Sequence, residues 1–593
     1  MDNLDAAIST ARDALARTPE DDANRPMYLS NLGVALQNRF RQTGNRADLD
    51  EAIALTLTAI AQTPTDHPSR ANRLSNLGGG LLTRFQRSGN LADLDGAIDA
   101  TQQATAAVPD RHPERAVYLS NLSYDLRVKF RHTGHLKDLN DAIGAGEQAV
   151  AELPETHPLR PFAMVNLSNG LVARFERTGE LADLNQAIEL GRRVKAATTE
   201  GPERSTYLSA LCIALRTRFE RTGNRDDLEE AIAAARDAVA ASRTGHVDQP
   251  KHLSVLASGL RSRFNLVGEM SDIHSAIEAA RDAVNLTPPP HPDRPMYLAN
   301  LGNALLSRAQ RTGLRADLDE AVTVGQAAVD EAPRSHTDHA LYLSNLSHTL
   351  FCRYRHARNK EDLTAALATA RLAVETTPAD HPSRGERLGN LANALHARFH
   401  ASETLAALNE AIDTDREALA ATPIDHPGRA RVLSNLASGL QMRHGRLGNP
   451  NDAEQAVDAW NDAADMRFAP ATIRVHAARA SGQFAASLDQ WLAAAESHAT
   501  AVELLPSLAW RGAGRTSREQ LLDLWGGLAA DAAGCAIVAA QPDRAIELLE
   551  QGRVVLWSQL LETRSDLTRL QQSAPKLVAR LDAIGPQLDQ TPG

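Results

Sequence analysis

Residues 26–40 read Pro26-Met27-Tyr28-Leu29-Ser30-Asn31-Leu32-Gly33-Val34-Ala35-Leu36-Gln37-Asn38-Arg39-Phe40. Leu29, Leu32, Leu36 and Phe40 fall at three- and four-residue steps, so they share one face of an α-helix. Thr43-Gly44 follows, and glycine after a last turn ends a helix. A second helical pattern starts at Asp48-Leu49-Asp50-Glu51, where Asp48 is expected to cap the free amides while Glu51 reaches back, as in a capping box. Ala52, Ile53 and Ile60 continue the apolar face. The pattern ends before Thr63-Pro64, and Asp66-His67-Pro68-Ser69-Arg70 leads into the next copy.

The tetrapeptide at Leu29 recurs, with variation, at Leu74, Leu119, Met164, Leu208, Leu253, Leu298, Leu343, Leu388 and Leu433. Eight of the nine steps are 45 residues and one is 44, a regularity that chance does not produce. One helix pair cannot bury its apolar face alone. Stacked neighbours supply the core, so a fixed period of this length means a helical solenoid. The chain opens on a second-helix pattern, Leu4 to Leu15, which reads as half a repeat capping the array. The expected organisation is a capping helix over 1–22, ten repeats over 23–460 and irregular helices over 461–593.

Composition agrees with closely packed helices. Of 593 residues, 43% are hydrophobic but only 4% aromatic, and the net charge is −11. An acidic chain lacks the basic surface that phosphate contacts need, so nucleic acid is not expected as a partner, although a local basic stripe could exist. Cys212, Cys352 and Cys535 lie too far apart for a disulfide framework and fit a reducing compartment. No signal peptide opens the chain and no run is long enough to span a bilayer. The expectation is a cytoplasmic protein without membrane contact or cofactor.

Leu29-x-Asn31-Leu32-Gly33-x-x-Leu36, then Ala52, then Pro64, resembles the tetratricopeptide repeat, which is nominally about 34 residues long. The longer turn and connector, with the Asp-His-Pro and Asn-Leu pairs, are most similar to the long repeats of kinesin light chains. The resemblance covers residues 1 to about 460. It implies an all-α, right-handed superhelical solenoid that binds a protein or peptide in its concave groove.

Beyond about 460 the 45-residue register is lost, and Trp460, Trp491, Trp510, Trp525 and Trp557 all lie there. Helical patterns continue over 473–497, 518–540 and 544–568. The stretch from Glu547 through Arg553, Trp557 and Gln559 to Leu561 resembles the segment that joins tetratricopeptide arrays to a caspase-like CHAT domain. That resemblance implies a regulatory arm of a CHAT-type protease. No alternating strand pattern follows Trp557, and 577–588 still reads helical. The catalytic half is therefore expected to be missing, from a shortened chain or a repeat-only relative, and this chain is not expected to be an enzyme. The alternative is a self-assembling scaffold with no effector.

Several positions are candidates for contact with a partner. Asn31, Asn76, Asn121, Asn166, Asn300, Asn345, Asn390 and Asn435 align in eight repeats, with Ala210 and Val255 in the fifth and sixth. In the resembled family this position looks into the groove, where an amide matches a peptide backbone. An equally open reading is that each Asn bridges adjacent first helices. Three residues later stand Val34, Gly79, Tyr124, Asn169, Ile213, Ser258, Asn303, His348, Asn393 and Ser438, varied residues on a constant frame. Arg39 and its nine counterparts, through Arg443, are expected to pair with acidic residues such as Asp48 and Asp93 and so fix the long turn. Exposed pairs of that kind contribute about 0–1 kcal/mol each. His348, Cys352 and His356, at i, i+4 and i+8, are a weak zinc candidate, with His396 and His400 on the next first helix. The His-Pro connectors, such as His67 and His381, are expected to be turn-forming.

Overall fold

Arg25–Thr43 forms the first helix of the first repeat, and Gly44 stops it. Gly44 adopts φ 70°, and its N–H donates to the Phe40 carbonyl at 2.7 Å, a left-handed cap that glycine enters without a Cβ clash. Arg358 and Glu403 take the same conformation, at φ 56° and 54°, in repeats eight and nine. The computed structural model describes residues 2–508, except 111, 202, 243–247, 335, 337, 380, 382, 425, 427 and 468, together with 527–553. It holds 25 helices among these residues and no strand. The chain divides into two compact bodies, Met1–Pro423 and Ile424–Gly593.

The second helix, Arg46–Ala61, does not start with the expected capping box. Asn45 is its N-cap and accepts the Ala47 N–H at 3.2 Å. Asp48 lies inside the first turn, buried, in the fork of Arg39: Nε donates to Oδ2 at 2.7 Å and Nη2 to Oδ1 at 2.7 Å. The bidentate pair recurs as Arg84–Asp93, Arg174–Asp183, Arg218–Asp227, Arg263–Asp272, Arg308–Asp317, Arg353–Asp362 and Arg443–Asp452. In several repeats Nη1 also reaches back one repeat, as Arg263 does to Glu229 at 2.8 Å and Arg353 to Asp319 at 3.1 Å. The pairs are therefore not the exposed type the sequence suggested, because the carboxylates are desolvated and only a planar guanidinium fills both oxygens. Repeat three carries Lys129, which cannot fork and turns to Asp95 at 2.9 Å. Repeat nine carries Ala407 in the Asp place, and Arg398 bonds Glu410 instead.

The core is a series of linked clusters. Ile8, Leu32, Leu36 and Ala52 join the opening helix Asp2–Arg17 to the first repeat. Phe40, Leu49, Ile53 and Ile60 then pack with Leu74 and Leu77 of the second repeat and Tyr118 of the third. Small residues set the spacing within a pair. A Cβ on Gly33 would stand 3.2 Å from the Ala52 carbonyl oxygen and 2.9 Å from Thr56 Oγ1. Cys212 fills the same slot in repeat five, fully buried, and burial pushes its thiol up to about 12. The three cysteines are free.

Connectors are fastened twice. The histidine Nδ1 accepts a backbone N–H two residues on, as His67 does from Ser69 and His381 from Ser383, both at 3.1 Å. The same bond occurs at His336, which precedes Thr337 rather than proline. In six repeats the first arginine of the first helix then caps the preceding second helix, as Arg70 Nη1 donates to the Ile60 and Thr63 carbonyls at 3.0 and 2.7 Å. In repeat eight His339 Nδ1 takes that role at the Ala332 carbonyl.

In the C-terminal body, Arg429–Leu447 and Pro450–Asp465 complete the tenth repeat. The helical run read over 473–497 is two helices, Ala471–Ser487 and Trp491–Leu508, broken at Asp489 with φ 59°. Trp460 is buried edge-on against Phe484, ring centroids 5.8 Å apart. Leu528–Val538 and Pro542–Arg553 follow. Trp510, Trp525, Trp557 and the segments 554–568 and 577–588 lie outside the described residues. No helix among the described residues is long and apolar enough to cross a membrane.

Candidate peptide-binding face

Across the N-terminal body, first helices of neighbouring repeats touch one another, whereas second helices of neighbouring repeats make no comparable contact among the described residues. First helices therefore line the inner, concave side. On them, Val34, Gly79, Tyr124, Asn169, Ile213, Ser258, Asn303, His348 and Asn393 are all half-exposed or exposed, as is Ser438 on the tenth first helix in the C-terminal body. The residue two before each is buried in every repeat, as Leu32, Leu77 and Leu211 show, except for half-buried Leu122 and Leu256. One face of the helix thus holds the core while the other presents varied side chains to solvent.

The Asn ladder divides. Asn121, Asn166, Asn300 and Asn390 each donate Nδ2 to a serine hydroxyl of the preceding first helix: Ser75, Ser120, Ser254 and Ser344, at 3.3, 2.8, 2.7 and 2.9 Å. These amides latch neighbouring helices together. Asn76 instead bonds Asn72 on its own helix at 3.1 Å. Asn31 is exposed. Asn345 faces Ala299 where a serine would stand, and makes no side-chain hydrogen bond among the described residues. The gap in the ladder is explained by the same partner logic. Ala210 follows Val165, which offers no hydroxyl, and Val255 follows Ser209, whose hydroxyl is taken by His252 Nδ1 at 2.7 Å.

Repeat three also contacts the connectors that lead into repeats eight and nine. Arg131, at the end of the third first helix, binds both carboxylate oxygens of Asp338 in the connector to repeat eight, at 2.7 and 2.8 Å. Its carbonyl oxygen lies 2.9 Å from His381 Nε2, in the connector to repeat nine. Because His381 Nδ1 accepts from Ser383, Nε2 carries the proton and donates it to Arg131. Arg87 likewise lies within electrostatic reach of His291 and Asp293, ahead of repeat seven.

His348 Nε2 lies 3.7 Å from Cys352 Sγ, and Gln310 Nε2 donates to the same sulfur at 3.7 Å. Burial raises the Cys352 thiol, and His356 is exposed. No group of three His, Cys, Asp or Glu among the described residues comes together as metal ligands would. On the next first helix, His396 Nε2 turns away to buried Asp415 at 2.7 Å.

Sequence reasoning passed over the helix-capping arginines such as Arg70 and the serine partners of the Asn ladder. A signal for both existed: each recurs with the repeat, one position before the Asn for the serine and at the connector's end for the arginine. It also passed over Arg127, Arg216 and Arg261, which share one inner position in repeats three, five and six.

Residues 27–69, the first repeat, match the family model described as tetratricopeptide repeat. No curated protein matches the chain. Among solved structures, a human IFIT1 dimer with PPP-AAAA is 14% identical, with 81% of this chain and 95% of that chain covered and a TM-score of 0.40. Nearly identical tetratricopeptide-like repeats of kinesin-light-chain type from Podosopora anserina are 20% identical, covering 36% and 97% at a TM-score of 0.28. A tetratricopeptide repeat protein from Parabacteroides merdae is 12% identical, covering 54% and 98% at 0.34. The first repeat is thus a tetratricopeptide-type helix pair, and the repeats that follow are helix pairs as well.

Proposed function

We propose that this chain is a protein- or peptide-binding scaffold that acts by binding on its inner face rather than by chemistry. The observation that carries this reading is the ten-fold recurrence of a solvent-facing, varied position on an otherwise constant frame. A frame that varied by packing alone would vary in the core as well. Asn169, Asn303 and Asn345 supply amides on that face that make no hydrogen bond to other described residues, and such amides suit a peptide backbone.

The finer reading is that the array is the regulatory arm of a CHAT-type protease. Its support is the resemblance of the segment from Glu547 to Leu561, of which only residues up to Arg553 lie among those described.

The test is a pull-down from a native extract with mass-spectrometric identification. A variant with Asn169, Asn303 and Asn345 changed to Ala runs beside wild type, with circular dichroism to show that both fold. Asn121 and Asn390 are unsuitable for this purpose, because they hold the helices together. Loss of one protein from the variant alone supports the reading. An identical partner list, or self-association in place of a partner, sinks it.

A further inference from the structure

The arginines of the long turns within the repeats, from Arg39 to Arg443, meet carboxylates. Arg127 and Arg261 do not: among the described residues neither makes a hydrogen bond or an ion pair. Arg127 lies over the Tyr124 ring, 5.0 Å from its centroid, and Gln86 Nε2 holds the Tyr124 hydroxyl at 3.2 Å. Solvent reaches both guanidinium groups, yet protein surrounds them, and that desolvation lowers their pKa values. The bonds from Arg131 to Asp338 and His381 close the wall beside Arg127.

Between the two unpaired arginines the sign of charge alternates. Glu176 of repeat four lies within electrostatic reach of Arg127, Arg131 and Arg216. Arg216 of repeat five bonds Glu220, and both lie within reach of Arg261. A uniform polyanion such as a nucleic-acid backbone would set phosphates against Glu176 and Glu220. A peptide with separated acidic side chains would not.

We propose that the inner face of repeats three to six docks an extended acidic peptide, with one carboxylate in the fork of Arg127 and another in that of Arg261. This inference deepens the peptide-binding reading above and rests on it. Three repeat steps separate the two arginines. Packed helices lie about 8–10 Å apart, so the path is roughly 24–30 Å. An extended chain rises about 3.3 Å per residue, so the two acidic side chains should be separated by about eight residues.

The experiment pans a random dodecapeptide library on the full chain, then measures the best peptide by fluorescence anisotropy. Recovered peptides should carry Asp or Glu pairs about eight residues apart. The Arg127→Gln/Arg261→Gln variant should lose about tenfold or more in affinity, since each removes a charge-assisted fork. Arg192→Gln, on an outer pair with Glu230, should change nothing. Circular dichroism checks folding, and single Arg261→Gln serves if the double variant does not fold. Peptides without acidic pairs, bound equally by the variant, overturn the inference but leave the scaffold reading standing. A library that yields no binder removes both. Tight binding of an adenine dodecaribonucleotide that needs Arg127 and Arg261 overturns it in favour of a polyphosphate site.

Discussion

Asp125 stands where the other repeats carry Ala35, Gly80, Gly170, Ala214, Gly259, Ala304, Thr349, Ala394 and Gly439. It is buried, with Oδ2 at 2.9 Å from Thr101 Oγ1, and that hydroxyl is also 2.9 Å from the Ala97 carbonyl oxygen. The Thr101 hydroxyl donates to Asp125 but is shared with that carbonyl, so little offsets the burial of a charged carboxylate. Burial raises its pKa to about 7. An unfolded Asp titrates near about 3.9, so the folded chain binds more protons between about pH 4 and 7 and loses stability as pH rises through that window. Asp125→Asn should stabilise the chain by roughly 2–4 kcal/mol at pH 8 and by little at pH 4. Denaturant unfolding at both pH values checks this; equal effects at both would refute it. Asn166→Ala should cost about 1–3 kcal/mol by leaving buried Ser120 without its partner. Asn345→Ala, with no bond to lose, should stay within about 0.5 kcal/mol. Alignment of the repeats made all these asparagines equivalent. The serine one repeat back distinguishes them, and its reach is a matter of helix packing.

Each repeat's two helices are held by the Arg–Asp fork across their long turn. Arg218→Ala would leave Asp227 buried without its fork, 2.8 and 2.6 Å bonds lost together. The carboxylate is desolvated but the arginine is partly exposed. The expected loss is about 2–3 kcal/mol, between the values for surface and buried pairs. Arg12→Ala, which frees an exposed Glu51, should cost less than about 0.5 kcal/mol. Thermal melts of the two variants make the comparison, and equal shifts would contradict it. That Arg and Asp recur nine residues apart was legible in the sequence. Their competition with the capping box was not, because Asn45 takes the N-cap place only once the turn is folded.

Over the N-terminal body, repeat three bonds the connectors to repeats eight and nine, and these bonds are expected to hold the winding of the array. His381 lies within electrostatic reach of Arg387, His132 and Asp338, and burial first of all, then Arg387, lowers its pKa to about 4. It is therefore neutral when folded, and the stability it lends is present above about pH 6.5 and lost as pH falls toward 4. Small-angle scattering at pH 7 and pH 4.5 should show the wild type expanding, and Asp338→Asn should be expanded already at pH 7. Unchanged profiles would show that these contacts do not govern the winding.

Period, helix content and the facing of each helix were readable from the chain, because they depend on neighbours three, four and 45 residues apart. The glycine stops and the varied inner position belong to the same local order. Which asparagines are latches, why the Asp125 carboxyl titrates high and where Arg127 and Arg261 stand without carboxylates were not readable. Those properties depend on contacts between repeats and, at Arg131 and Asp338, on residues 207 apart in sequence. A repeat written ten times states its own fold. The winding that brings distant repeats together follows from small packing angles summed along the array, and no single repeat contains that sum.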